Sequence, residues 1–268
     1  MPKVYTMKQL SILIASLALA LSTSAFAQNT ASPQYRDWVT PQPGQFDYYK
    51  LSLTLQPVYC LKNPSSPACK TSILQNSPLL TLNEFIPSRD QGRRYKYQYC
   101  SKSISEKEIK LDQKGQWSKL PSVPNLTSAT KKSLNEVMPQ TKVYQQRHAW
   151  LKWGTCNSST YDANGYFSKA AALTKYINNP DVSAFIQANR KTTVSLTQIR
   201  KFFNREFKTL NKVQFQCVSV GNRSFLENIN FYVNKKVDLA DLDSYPLLTP
   251  FGTMKHSPEQ ECPESFYL

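Results

Sequence analysis

The sequence has 268 residues, 40% of them hydrophobic, which is enough for one sizeable core and too little to require two, so a single domain is expected. Thirty-three Lys and Arg against 18 Asp and Glu give a formal charge of +15. That excess favours polyanions (nucleic acid, lipopolysaccharide, anionic lipid headgroups), but charge alone does not separate binding from cleavage.

Residues 1–27 read as a secretory signal peptide: Lys3 and Lys8 precede the apolar run Leu10–Leu21, and Ala25-Phe26-Ala27 supplies small residues for cleavage near Ala27. Met7 opens a complete signal of its own. The apolar run is short for a bilayer, which disfavours an uncleaved anchor, and no later stretch approaches the roughly 20 apolar residues of a spanning helix. The mature chain, at +13 without Lys3 and Lys8, is therefore expected in the periplasm or outside the cell, with no transmembrane segment and as a monomer.

Residues 28–47, rich in proline and polar side chains, read as an extended leader into a domain spanning 48–268. In "YYKLSLTLQPVYC", Leu51, Leu53 and Leu55 alternate with polar neighbours, the period of a strand with one buried face, closed by Cys60. "LKNPSSPA", between Cys60 and Cys69, is turn-rich. "LLTLNEFIP" is a second buried strand ending at Pro87. "SRDQGRRYKYQYC" follows as a loop or edge strand, where Arg89, Arg93, Arg94 and Lys96 alternate with Tyr95, Tyr97 and Tyr99. That mixture suits phosphates and bases as well as it suits a solvated edge.

Helical signals dominate from 126 to 188. "TSATKKSLNEVMP" stops at Pro139, "TKVYQQRHAWLKW" at Gly154, and "NGYFSKAAALTKYIN" before Pro180; "DVSAFIQANR" and "SLTQIRKFFNREF" add two more helices. Strands return at "VQFQCVSV" and "SFLENINFYVN", and the tail from Asp238 reads as irregular, held by Cys262. Strands, a run of helices and strands again predict an α+β fold.

All six cysteines, Cys60, Cys69, Cys100, Cys156, Cys217 and Cys262, lie in the mature part. An even count in an exported chain predicts three disulfides, with 15 connectivities open. No CxxC pair occurs, and His148 and His256 stand in no ligand spacing with the cysteines, so neither a metal nor another cofactor is expected.

The densest chemistry is "RHAWLKWGTC", residues 147–156. On a helix His148, Lys152 and Cys156 share one face, with Ala149 and Trp153 on the adjacent row. "HAWLKWGTC" resembles the second signature of the ribonuclease T2 family, HEWxKHGTC: His148, Trp150, Lys152, Gly154, Thr155 and Cys156 match, six of eight specified positions. "LTLNEFIP", residues 80–87, resembles the first signature, FTIHGLWP, at Thr81 and Pro87. "FDYYKLSLTLQPVYC" resembles the family's opening strand, and "LNEVMP" and "DANGYF" resemble bacterial periplasmic, ribonuclease I-like members.

The resemblance covers about residue 45 to the C-terminus. It implies a single ribonuclease T2-like domain with a central, mostly antiparallel sheet and a cluster of helices. It also implies the pairs Cys60–Cys69, Cys100–Cys156 and Cys217–Cys262. In this family RNA is cleaved without metal through a 2',3'-cyclic phosphate, which needs a base, an acid and groups that steady charge on phosphorus.

The motif positions imply that the two proton-transferring histidines are replaced by Asn83 and Trp153, and the glutamate by Ala149; none of these exchanges a proton near neutral pH. Ile86 stands for the base-stacking tryptophan and Glu84 for the glycine before it. His148 and Lys152 remain as candidates for binding phosphate.

The leading expectation is an exported member of this fold that binds RNA or another polyanion with impaired catalysis. One alternative is an active or specialised endoribonuclease rebuilt from His148 with Lys152 or His256. The other is an envelope interaction protein with no RNA function.

Overall fold

The structure, a computed structural model, describes residues 41–75, 78–89, 97–160, 162–209, 213–242 and 261–268. The expected signal peptide (residues 1–27), residues 28–40, the cationic stretch 90–96 and His256 lie outside the described residues.

Six strands form one sheet: β1 (Tyr48–Leu55), β2 (Leu80–Ser88), β3 (Thr193–Ser195), β4 (Gln214–Val220), β5 (Arg223–Asn234) and β6 (Ser265–Tyr267). The order is β2-β1-β5-β6-β3, with β4 paired to β5. Every pairing is antiparallel except β5 with β6. Leu51, Leu53 and Leu55 are at most 2% exposed, but their polar neighbours Ser52 and Thr54 are buried as well, at 4% and 5%. Strand β1, paired on both sides, therefore has both faces covered and not the one buried face that the alternation predicts. The leucines share the main core with Leu80, Leu82, Ile229, Phe231 and Val233.

The helices are α1 (Gln56–Lys62), α2 (Thr71–Leu74), α3 (Glu106–Gln113), α4 (Ser128–Val137), α5 (Gln145–Lys152), α6 (Ala163–Ile177), α7 (Pro180–Ala188) and α8 (Leu196–Phe207). Capping side chains set most of the starts. Asp162 accepts from Gly165, Thr127 from Thr130, Asn179 from Val182 and Ser195 from Gln198, each satisfying a backbone N–H that the first turn leaves unpaired. The inner face of α6, with Tyr166, Phe167, Ala170, Ala171, Leu173 and Ile177, is buried in the main core.

The structure departs from the expected elements in several places, including the unexpected short helix α2 and strand β3. Strand β1 stops at Leu55, because Pro57 fits the first turn of a helix and α1 replaces the expected strand end. The expected helix over 141–153 is divided into a 3-10 turn at Pro139–Val143 and α5, with Tyr144 left-handed at φ 65° between them. The described end of the tail, expected to be irregular, adds β6 to the sheet. Helix α3 was not anticipated.

The three disulfides are Cys60–Cys69, Cys100–Cys156 and Cys217–Cys262. Residues 41–47, the end of the proline-rich segment, pack onto the domain: Phe46 is 4% exposed in the core, and the Gly44 N–H donates to the Cys156 carbonyl at 2.9 Å. Among the described residues no helix is long and apolar enough to cross a membrane.

Candidate functional site

The two motif segments meet. In β2, Ser52 pairs with Glu84 and Leu53 with Leu82, so Asn83 is the extra residue of a β-bulge. A bulge kinks the strand and re-aims its side chains. The Gln145 amide, at the start of α5, donates to both the Asn83 carbonyl (2.7 Å) and its side-chain oxygen (3.0 Å). This fixes the helix against the bulge.

The centre of the site is His148, buried on α5. Its Nδ1 lies 2.7 Å from Asp112 Oδ1, and its Nε2 lies 3.5 Å from Glu84 Oε1. The ring stacks on Trp117 with centroids 4.8 Å apart. Trp153 Nε1 donates to the same Glu84 oxygen at 3.1 Å, and the Tyr99 hydroxyl donates to Asp112 Oδ2 at 2.6 Å. A small apolar cluster of Tyr99, Ile104, Leu120 and Leu151, with Trp117 against it, holds these groups in place.

The imidazole is therefore clamped between two carboxylates. Burial opposes charge on His148, but the hydrogen bonds and charges of Asp112 and Glu84 outweigh it and raise the pKa above the ordinary histidine value. Burial likewise opposes ionisation of Glu84. His148, Trp153 and the charge of Lys50 outweigh that and hold its carboxyl below the usual range. Both shifts favour the charged pair of His148 with Glu84. Burial and Asp112 together push the Tyr99 phenol well above its ordinary range, so it stays a neutral donor.

Of the residues singled out in sequence, Asn83, His148 and Trp153 are gathered around Glu84, and Ala149 is buried at 1% exposure with no polar group to offer. Lys152 holds its ammonium 4.5 Å from the Trp153 ring centroid. The rings of Tyr97 and Tyr99 point inward, each 8% exposed. They bond to Gln42 and Asp112 and do not form a stacking platform. Arg89 lies 4.4 Å over the Tyr97 ring and donates to the Gln45 carbonyl.

Sequence reasoning missed Asp112 and Trp117, and it offered Tyr99 as a stacking surface where the structure makes it a donor to Asp112. A readable signal for Asp112 existed, since Ser105 and Glu108 form a capping box that opens α3 and Asp112 lies in the last turn of that helix. Asp112, His148 and Glu84 do not surround a common point. Among the described residues no cluster of His, Cys, Asp or Glu is placed to hold a metal ion.

Where α5 ends, Trp150 covers Gly154 so closely that an added Cβ would sit 2.3 Å from Trp150 Cε3 and 3.1 Å from Tyr166 Cε1. Both rings are buried. Gly154→Ala is therefore expected to destabilise the protein by about 1–3 kcal/mol through overpacking, measured as a lower midpoint of urea unfolding with an unchanged slope.

The family model described as Ribonuclease T2 family matches residues 46–241. Among solved structures, a variant of ribonuclease MC1, from bitter gourd seeds, in complex with 5'-UMP is similar at TM-score 0.56 and 16% identity, over 83% of this chain and 98% of that one. An RNase-related protein from Calystegia sepium is similar at 0.51 and 17%, over 83% and 97%. Japanese pear S3-RNase is similar at 0.50 and 16%, over 83% and 99%. At these identities the likeness concerns the fold. A comparison with curated proteins finds no match.

Proposed function

Because the chain belongs to the ribonuclease T2 family, we propose that it is an exported member which lacks the acid and base of RNA cleavage and acts by binding RNA or another polyanion. The observation that carries this reading is the replacement of the family's proton-transfer positions by Asn83, Ala149 and Trp153 around a site whose remaining histidine is engaged on both ring nitrogens. Each missing acid or base typically contributes 10² to 10⁴ in rate, so turnover should fall by orders of magnitude even where RNA still binds. The alternative of a specialised nuclease run by His148 and Lys152 is disfavoured by the same clamp, because His148 Nε2 faces Glu84 and not open solvent.

Residues 1–27 act in this reading as a removable signal, residues 28–47 as the approach to the domain and 48–268 as its body, in a monomer without metal or other cofactor. The three disulfides support an oxidising destination, the periplasm or the exterior. Binding falls to the surface cations of a +13 mature chain. Lys152 is a phosphate contact in this reading, and His148 adds its charge nearby.

One preparation of refolded mature protein, assayed for both RNA retention and cleavage, tests the proposal. The expected result is a gel shift whose affinity falls steeply as salt rises, without accumulation of cyclic phosphate. Cleavage with a histidine-like limb in its pH profile overturns the loss of catalysis. Absence of any shift at low salt overturns the binding and favours an envelope interaction role.

A further inference from the structure

We propose that His148 Nε2 and Trp153 Nε1, where α5 meets β2, form an oxyanion site filled by the protein's own Glu84 carboxylate, and that this carboxylate excludes phosphate from it. The inference holds whether or not RNA binds elsewhere on the basic surface.

Two donors converge on one oxygen. Trp153 Nε1 points an N–H at Glu84 Oε1 from 3.1 Å. His148 Nε2 lies 3.5 Å from that atom. Its other nitrogen is taken by Asp112 at 2.7 Å, so in the imidazolium Nε2 carries the proton aimed at Glu84. The charge of Lys50 acts on the same carboxylate, and the Lys152 ammonium is held against the neighbouring Trp153 ring. An imidazole N–H and an indole N–H directed at one anionic oxygen, with the charge of Lys50 acting on the same carboxylate, form a donor set that suits a phosphate oxygen, and charge-assisted bonds of this kind are the strong ones.

The occupant comes from the chain. The bulge at Asn83 alters the register of β2 so that Glu84 pairs with Ser52, and its carboxylate reaches the two donors. Being covalently attached, it competes at an effective concentration that free anions do not match. Exclusion is also electrostatic, because an incoming phosphate meets Glu84 and, behind the imidazole, Asp112. If the site is open in a tenth of molecules or fewer, the apparent affinity of the wild type for phosphate is reduced roughly tenfold or more.

The test titrates inorganic phosphate into wild type, Glu84→Ala and the double variant Glu84→Ala with Trp153→Phe. Calorimetry follows binding, and the imidazole resonances of His148 are followed by NMR. The wild type is expected to give no saturable heat at millimolar phosphate and no change at His148. Glu84→Ala should bind phosphate at least about tenfold more tightly, with a shift at His148, and the double variant should lose that gain.

A saturable His148 shift in the wild type, with the affinity of Glu84→Ala, overturns the inference. So does a folded Glu84→Ala protein that binds no phosphate. Should that variant fail to fold, the wild-type NMR titration decides alone, since it asks directly whether phosphate reaches His148. RNA retention by the wild type, measured separately, bears only on the polyanion reading.

Discussion

Replacing His148 with alanine is expected to destabilise the protein by about 3–5 kcal/mol, the range found when one partner of a buried ion pair is removed. The size follows from what is left behind. The Asp112 side chain is 1% exposed and loses the partner of one oxygen, keeping only the Tyr99 hydroxyl on the other. Glu84, 24% exposed, keeps Trp153 and the neighbouring charge of Lys50. Trp117 loses the ring it stacks on.

The pH dependence has a defined sign. A raised histidine pKa contributes stability that is complete below the unfolded value, about 6.5, and is lost as pH rises through the folded value. A lowered Glu84 pKa contributes stability present above the unfolded value, about 4.3, and lost as pH falls through the folded one. Urea unfolding of wild type and variant should therefore differ most between roughly pH 4.5 and 6.5, and the difference should narrow under alkaline conditions to what the neutral imidazole contributes through Asp112 and Trp117. A difference that stays constant from acid to alkali would mean that His148 contributes packing alone.

How much of this site was legible in sequence depended on how local its signals were. The Leu51, Leu53 and Leu55 alternation and the caps at Asp162 and Asn179 act within one strand or one helical turn, and the corresponding elements stand where expected. The break at Tyr144 has no local signal, because tyrosine has no preference for the left-handed region. It serves a distant contact, that of Gln145 with Asn83, 62 residues away in the chain. The same holds for the pairing of Asp112 with His148 across 36 residues. Motif spacing placed His148, Lys152 and Trp153 on one helix end and Asn83 and Glu84 on one strand. It did not say that Glu84 would turn to His148 and Trp153, because that contact is made only when the bulge sets the register of β2 against β1.

Rebuilding the lost chemistry gives the largest expected effect. Asn83→His with Trp153→His, made in a Glu84→Gly background, should raise RNA cleavage to cyclic phosphate by about 10² or more over the parent, the lower range for one restored acid–base function. The geometry favours both positions. Asn83 sits at the bulge, where its main-chain carbonyl, which any residue supplies, accepts from Gln145 at 2.7 Å. The Trp153 indole lies 3.1 Å from the carboxylate of Glu84, the residue next to Asn83, so the two positions are close in the fold.

Glu84 has to be removed for the gain to appear. While it stays, its carboxylate pairs with whichever imidazolium is nearest and holds the place of the scissile phosphate, so the two histidine replacements alone should give little. Acid and base act as a unit, and each single replacement should fall far short of the combination. The readout is the rate of cyclic phosphate formation against pH, with a bell-shaped profile as the signature of two new titrating groups. A folded triple variant no faster than its parent would show that the barrier lies in RNA positioning, at Ile86, and not in proton transfer.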